Sequence, residues 1–398
     1  MVRKILYLIG PGCITASLVI GPGSVTVATK VGSLFGFDLV WWLAVLWLFM
    51  VTFTLMSARI GLFAGSSFMT LAARKLGRPF TIVLGISVFL ICCSFQAGDV
   101  IGVSSSLAAI TNAPETFFKV AFPLLCLTLY FFSPNIYTYI ERLMLAMVVI
   151  MLGSFLTNLI MARPSLTLLA AGFVPKMPHA GQMRLFTAMA ATNFVVAAAL
   201  YQSYLVREKG WSSEDYSRVR ADTIIGISVL FLLVGVITVT SATVLKPRGI
   251  NVQTAADMAL QLEPLLGAFS KYLFCCGLFA ASFSSLAVNA LTGATLLSDS
   301  LGRGGDMKSG SVKILASCIM LFGLGVSLCM GGAPVKSIIL LQRLTLLTVP
   351  LLAFALVYLA NTREITAHRK AGIAMNCIAG LACCLVVHLF MNLVKSFF

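Results

Sequence analysis

A Gly21-Pro22-Gly23 motif interrupts an apolar stretch that is long enough to span a lipid bilayer. Proline removes a backbone donor and clashes with the preceding turn, and the flanking glycines tolerate non-helical backbone. Within a membrane, unwound backbone is tolerated only where protein or a water-filled cavity surrounds it. Carbonyls and half-helix ends at such a break can coordinate an ion near the midplane. The motif therefore predicts a broken first membrane helix with a substrate site around residues 21–24. A proline kink without a ligand is the alternative.

The composition is that of an integral membrane protein. Hydrophobic residues make up 59% of the 398 residues and charged residues only 10%, whereas soluble domains carry roughly 25% charged residues. Because apolar runs reach the length of about 20 residues that a membrane helix needs, we predict one transmembrane transporter domain over residues 1–398, whose first span is retained and is not a signal peptide. The eleven predicted spans lie near residues 5–34, 38–63, 79–109, 114–132, 137–161, 183–208, 219–245, 264–298, 311–331, 335–360 and 371–396.

The basic residues predict the orientation of the chain. With a cytoplasmic N-terminus, the cytoplasmic side holds 17 of the 28 Lys and Arg residues, so the positive-inside rule places the C-terminus outside a plasma membrane. The net charge of +15 indicates attraction to anionic lipid. Nucleic acid is not expected as a partner, because the basic residues are scattered over loops. We expect a monomer in the bilayer that is not an enzyme and binds no cofactor, since no nucleophile, phosphate-loop or metal-ligand motif occurs.

Polar residues inside the spans are candidates for function. Asp99 lies mid-span, three residues after Gln96 and on the same helix face, and an ionisable residue at membrane depth is a functional candidate by default. A structural hydrogen bond to a neighbouring helix is the alternative for Asp99. In the sixth span, Thr192 and Asn193 predict a second break, because their side chains compete with helical backbone bonds. Asn289 and Gln342 are further candidates in the eighth and tenth spans.

The positions of the two breaks predict an internal repeat. The first and sixth spans are equivalent if residues 5–161 and 183–360 form two five-helix repeats, with residues 371–396 as an extra helix. An odd number of spans inverts the second repeat, and two discontinuous helices then meet near the midplane. The expected fold class is an all-α membrane protein with inverted repeats.

Several segments resemble the natural resistance-associated macrophage protein family of divalent metal transporters. The resemblance is carried by Gly10 to Ser24, by Gly98-Asp99-Val100-Ile101-Gly102, by Leu278 to Ser285, and by Gln342 to Pro350, in order and with the spacing of that family. It implies a fold related to the amino acid–polyamine–organocation transporters and metal transport by alternating access.

The chain departs from this family at the residues that bind metal. The resemblance places Gly21 and Ser24 where the family has a metal-binding Asp and Asn, and Val195 where it has a metal-binding Met. Gln202 replaces a histidine linked to proton movement, and Gln96 and Asp99 replace an acidic pair of the same pathway. The resemblance thus implies a site without the soft thioether and the principal carboxylate, and impaired proton coupling.

These departures favour largely hydrated Mg²⁺ as the substrate, since magnesium usually keeps several waters. The small side chains are expected to enlarge the cavity. Three alternatives remain open: a small organic solute or anion at a half-helix N-terminus, proton-coupled Mn²⁺ or Fe²⁺ transport, and a non-transporting scaffold or sensor. The substrate-binding candidates are Ile20, Gly21, Gly23, Ser24, Thr192, Asn193, Val195 and Gln342, with Gly21, Ser24 and Thr192 nearest the metal. The pathway candidates are Gln96, Asp99, Gln202 and Asn289.

Overall fold

The computed structural model describes residues 10–132, 136–176, 178–179, 181–330, 332–367 and 371–395. Within these ranges the chain is helical and contains no strand. The helices are α1 (Pro11–Val19), α2 (Pro22–Phe35), α3 (Val40–Phe63), α4 (Phe68–Leu76), α5 (Arg78–Thr111), α6 (Glu115–Phe132), α7 (Ile136–Ala162), α8 (Leu166–Ala171), α9 (Met183–Asn193), α10 (Val196–Glu208), α11 (Tyr216–Val244), α12 (Ala255–Ala259), α13 (Glu263–Leu266), α14 (Ser270–Ser300), α15 (Gly310–Cys329), α16 (Pro334–Leu344), α17 (Val349–Ala360), α18 (Arg363–Thr366) and α19 (Ile373–Lys395).

Long apolar helices confirm an all-α membrane protein. Seven helices in the described ranges are long and apolar enough to cross a bilayer, and α16 and α17 together form a further candidate span bent by 47°. The count of eleven spans stays a prediction. The seven segments are Val40–Phe63, Arg78–Thr111, Met183–Glu208, Ser213–Val244, Gly267–Ser300, Gly310–Cys329 and Ile373–Lys395.

Helices α5 and α14 form the centre of the bundle and pack along much of each other's length. A Cβ atom added to Gly293 of α14 would lie only 2.7 Å from the Cβ atom of Cys92 in α5. Hydrogen-bonding side chains of both helices are buried in this interface, among them Gln96, Ser285 and Asn289. The central contact is therefore close and partly polar.

The two halves of the first span, α1 and α2, pack against α11. At Gly32 of α2, an added Cβ atom would lie 2.3 Å from the carbonyl oxygen of Thr238. The first half of the sixth span, α9, packs against both α2 and α16. These contacts bring the broken first span between the sixth and tenth spans.

The connections at the two ends of the bundle agree with the predicted alternation of the spans. At one end, Lys75 after the second span pairs with Glu364 after the tenth at 2.5 Å. This hydrogen bond, with the nearby positive charge of Arg74, lowers the pKa of the Glu364 carboxyl below its usual value. At the other end, Lys30 donates to Asn251 at 2.6 Å, and so links the first span to the loop after the seventh. Residues predicted on one side of the membrane thus contact each other.

Candidate functional site

The first span is broken at Ile20 and Gly21, as predicted. Helix α1 ends at Val19, Gly21 has extended backbone with φ −127° and ψ −174°, and α2 begins at Pro22. Because Pro22 has no N–H group, the carbonyl of Leu18 loses its usual helical donor. The Gly21 N–H also lacks a regular helical bond and donates to the Val19 carbonyl oxygen at 3.0 Å.

Ser24 closes the break locally. Its hydroxyl oxygen accepts from the Gly21 N–H at 3.2 Å, and it lies 3.0 Å from the Gly21 carbonyl oxygen and 3.2 Å from that of Val19. The single hydroxyl proton serves one of these two carbonyls at a time. Ser24 thus adds side-chain hydrogen bonds to the backbone groups at the interruption, and the Gly21 carbonyl oxygen also accepts from the Val25 N–H at 3.3 Å.

The second break lies just after Thr192 and Asn193. Helix α9 continues through Asn193, Phe194 and Val195 have non-helical backbone, and α10 begins at Val196. The Asn193 side-chain amide donates to the Met189 carbonyl oxygen at 2.9 Å and to the Thr192 hydroxyl at 3.0 Å. Both predicted polar residues therefore support the last turn of α9, and the interruption follows them.

Asp99 lies beside the first break. Its side chain is only 1% exposed, and its Oδ2 atom accepts from the Ser285 hydroxyl at 2.9 Å. Its Oδ1 atom is buried without a hydrogen-bond partner. A Cβ atom added to Gly21 would lie 3.3 Å from this Oδ1 atom and 3.1 Å from the Ser285 Oγ atom. A carboxylate from α5 thus faces the glycine of the broken helix.

Gln342 fills the space beside Gly23. A Cβ atom on Gly23 would lie 2.5 Å from the Gln342 Nε2 atom, and one on Gly98 would lie 3.4 Å from it. The Gln342 Oε1 atom is buried without a hydrogen-bond partner. The expected enlargement of the cavity by the small residues stays a prediction. The side chains of Asp99, Ser285 and Gln342 occupy the space that the glycines leave.

Three of the pathway candidates belong to two separate hydrogen-bonded groups, and the fourth, Asp99, bonds to Ser285. Asn289 donates to the Gln96 Oε1 atom at 3.3 Å, and Gln96 donates to the Leu286 carbonyl oxygen at 3.0 Å, about one turn from Asp99. Gln202 instead accepts from Thr15 at 2.5 Å and donates to Thr223 at 3.4 Å. The structure brings Gln96, Asp99 and Asn289 together along α5 and α14, whereas Gln202 joins the first, sixth and seventh spans.

Two acids, the half-buried Asp222 and the buried Asp299, were not among the predicted residues. The Asp222 Oδ2 atom accepts from the Gly12 N–H at 2.7 Å, which places a carboxylate at the N-terminus of α1, where the helix dipole favours negative charge. Asp299 is 6% exposed and accepts from the Tyr204 hydroxyl at 2.7 Å, the Thr70 hydroxyl at 3.1 Å and the Ser67 hydroxyl. Both acids lie near the ends of predicted spans. An acidic residue there usually reaches water, so the sequence contains no indication of a functional role.

A cavity of about 400 Å³ borders Asp299, with Glu208 and Asp306 also in its lining. Gly304 and Gly305 line the same cavity. Among the described residues, no group of three His, Cys, Asp or Glu side chains is placed to hold a metal ion. Any cation at the first break would thus rely on Asp99 and on neutral oxygen atoms.

Comparison with known sequences gives one family and a set of relatives. The family model described as natural resistance-associated macrophage protein-like matches residues 12–396. The divalent metal cation transporter MntH of Caldanaerobacter subterraneus subsp. tengcongensis is 22% identical over 371 residues, which cover 91% of this chain and 86% of the relative. The MntH protein of Deinococcus radiodurans is 24% identical over 311 residues, with 76% of this chain and 71% of the relative covered.

Solved structures share the fold. A mutant of the Eremococcus coleocola manganese transporter matches with a TM-score of 0.83 and 16% identity, covering 99% of this chain and 87% of that chain. MhsT in complex with L-phenylalanine matches with a TM-score of 0.63 and 17% identity, covering 97% of this chain and 98% of that chain. These matches confirm the predicted all-α fold class with inverted repeats.

Proposed function

The chain belongs to the natural resistance-associated macrophage protein-like family, and from this premise we propose that it is a secondary transporter of divalent cations. We propose largely hydrated Mg²⁺ as its leading substrate, alternating access as its mechanism and no coupling to protons. The MntH relatives and the manganese transporter with the same fold support the class of substrate.

One observation carries the proposal: the Asp99 Oδ1 atom is buried beside a broken helix without a donor. A buried carboxylate oxygen without a partner is unfavourable unless a bound proton or a cation neutralises it. A cation held at the break would supply that neutralising charge. An anion would be repelled by the same oxygen.

The donor atoms at the break favour a hard cation. Asp99 and Ser285 meet Gly21 through oxygen atoms. Gln342 meets Gly23 through its Nε2 atom, and the Oε1 atom of the same amide group has no hydrogen-bond partner. Carboxylate, carbonyl and water oxygens suit Mg²⁺, Ca²⁺ and Mn²⁺, whereas thiolate and thioether sulfur select softer metals. Val195 supplies no sulfur at the second break. A site of this kind supports Mg²⁺, which keeps part of its water shell.

Two amide side chains support transport without proton coupling. Gln96 and Gln202 do not titrate, and each is held by hydrogen bonds in its own group. A proton path through either position would need a group that exchanges protons. The membrane potential alone would then drive the entry of the cation.

The test is a flux assay with purified protein in liposomes that contain a magnesium indicator and a pH dye. At an inside-negative potential, we expect Mg²⁺ to enter without acidification of the lumen. Mn²⁺ is assayed in parallel under the same potential. Mn²⁺ entry with acidification would contradict the proposal in favour of proton-coupled transition-metal transport, and the absence of any divalent flux would overturn it.

A small organic solute is the second candidate substrate. The match to MhsT in complex with L-phenylalanine shows that this fold can accompany an organic ligand in another protein. Helix α2 begins with Pro22 at the break, and a helix N-terminus favours anionic groups. A thermal-shift screen of amino acids and small anions tests this candidate. Stabilisation by such a compound, together with no divalent flux, would favour it.

A further inference from the structure

We propose that Asp99 of α5 is the direct charged ligand of the cation site and acts across the break at Gly21, where the first span has no side chain. The inference rests on the proposed transport of divalent cations. It goes further by naming the ligand atom, Asp99 Oδ1, and the face of the site from which it acts.

The distances at Gly21 carry the first step. An added Cβ atom on Gly21 would lie 3.3 Å from the Asp99 Oδ1 atom, so the carboxylate lies where a side chain of residue 21 would begin. A charge on α5 can therefore act at the same place as a charge on the first span. An aspartate at residue 21 and one at residue 99 would compete for this space.

The hydrogen bond of Asp99 carries the second step. The Ser285 hydroxyl binds Oδ2 at 2.9 Å and leaves Oδ1 without a partner. A purely structural aspartate would be expected to have both oxygens satisfied, because buried polar atoms in proteins nearly always are. The Ser285 hydroxyl of α14 thus orients the Oδ2 atom, and the Oδ1 atom stays available for a ligand.

Gln342 supplies the third step. Its amide lies against Gly23 and Gly98, the residue before Asp99, and its Oε1 atom is also buried without a partner. The atom nearest Gly23 and Gly98 is the donor Nε2, and the unpaired Oε1 acceptor belongs to the same amide group. A cation satisfies several oxygen atoms at once, so a cation held by Asp99 would also compensate Oε1 if the amide group turns its oxygen towards the break.

The experiment relocates the charge. We compare wild type, Asp99→Asn, Asp99→Ala, Gly21→Asp and the double variant Gly21→Asp/Asp99→Ala. At Mg²⁺ concentrations below saturation, we expect Asp99→Asn and Asp99→Ala to reduce Mg²⁺ uptake by about 10- to 100-fold. This is the range of a lost charge-assisted contact. Gly21→Asp alone should also lose activity, because two carboxylates would crowd one space. The double variant should recover uptake, because its one carboxylate faces the same point from α2.

Metal binding is measured independently of transport, as the shift in melting temperature of each detergent-purified variant on addition of MgCl₂. We expect the shift to be lost in Asp99→Asn and restored in the double variant. Asp306→Asn serves as the matched control, because Asp306 lies in the loop after α14 and bonds locally to the Lys308 N–H. Asp99→Asn keeps the shape of the side chain, so its result stands even if the double variant fails to fold.

The outcomes separate the two proposals. If wild type transports no divalent cation, the proposed function fails. If wild type transports Mg²⁺ and Asp99→Asn retains both uptake and the magnesium-dependent shift, Asp99 is not the ligand. A third outcome is that Asp99→Asn loses both Mg²⁺ uptake and the magnesium-dependent shift while a folded Gly21→Asp/Asp99→Ala variant recovers neither of them. In that case the carboxylate does not act at the position of residue 21, and the proposal is overturned.

Discussion

At the residue scale, Gly32 occupies a position that has no room for a side chain. A Cβ atom there would lie 2.3 Å from the Thr238 carbonyl oxygen and 2.9 Å from the Ala242 nitrogen. Both are backbone atoms of α11, which cannot rotate away as a side chain can. The contact between α2 and α11 therefore requires glycine for its close approach, and not for an unusual backbone angle.

We expect Gly32→Ala to destabilise the protein by about 1–3 kcal/mol, the usual cost of overpacking a core. Gly235→Ala, in α11 itself, is the control, since nothing lies within 4 Å of its added Cβ atom. Alanine there should be neutral or stabilising by up to about 1 kcal/mol, because glycine weakens a helix. Melting temperatures in detergent compare the two variants. Equal melting temperatures would contradict the close packing at Gly32.

Residues also differ in how far the sequence could predict their roles. The break at Ile20 and Gly21 was predictable, because Pro22 and its flanking glycines alter backbone chemistry locally. The contact of Asp99 with Gly21 was not, because it depends on how two helices about 80 residues apart in the chain pack together. The side chain of Gln342 fills the Gly23 space for the same reason.

At the element scale, Asp299 joins three helices. It lies in α14 and accepts hydrogen bonds from Tyr204 of α10 and from Ser67 and Thr70 at the start of α4. Its buried carboxylate therefore has donors from two other elements. This hydrogen-bonded joint lies at the predicted cytoplasmic end of the bundle, beside the cavity lined by Glu208 and Asp306.

We expect Tyr204→Phe to destabilise this joint by about 1.5–3 kcal/mol, the contribution of a hydrogen bond to a charged group. Tyr201→Phe is the matched control, because its hydroxyl contacts the Met307 sulfur at 3.3 Å and thus a weaker acceptor. Thermal melts of both variants in detergent give the comparison. A larger loss in Tyr201→Phe would refute the role of Asp299 as a joint.

The break in the tenth span is an element that the sequence analysis missed. Helices α16 and α17 meet at 47°, and Pro350 lies at the start of α17. Because proline has no N–H group, the Leu346 carbonyl loses its helical donor. Pro350 was therefore a usable signal. The break at Phe194 and Val195 contains no glycine or proline, and Thr192 and Asn193 were the residues that predicted it.

At the scale of the whole molecule, contacts near the ends of the spans agree with the predicted sides of the membrane. Lys75 with Glu364 and Asp299 with Tyr204 connect segments predicted on one side, and Lys30 with Asn251 and Asp38 with Lys176 connect segments predicted on the other. The alternation of spans was predictable from hydropathy, because each span must cross the bilayer once. Which end faces the cytoplasm remains a prediction from charge.

Reporter fusions test the orientation of the whole molecule. Since 17 of the 28 basic residues lie on the side predicted to be cytoplasmic, the positive-inside rule predicts an external C-terminus. In a bacterial host, alkaline phosphatase fused after residue 398 should be active, and the same enzyme fused within the loop near residue 212 should be inactive. The reverse pattern would overturn the predicted orientation.

The way in which Gln342 lies against Gly23 has an electrical consequence. The Gln342 amide takes part of the room beside the broken helix, so fewer water molecules fit there. Under the proposed transport of cations, we expect this side chain to limit the leak of ions through the resting protein.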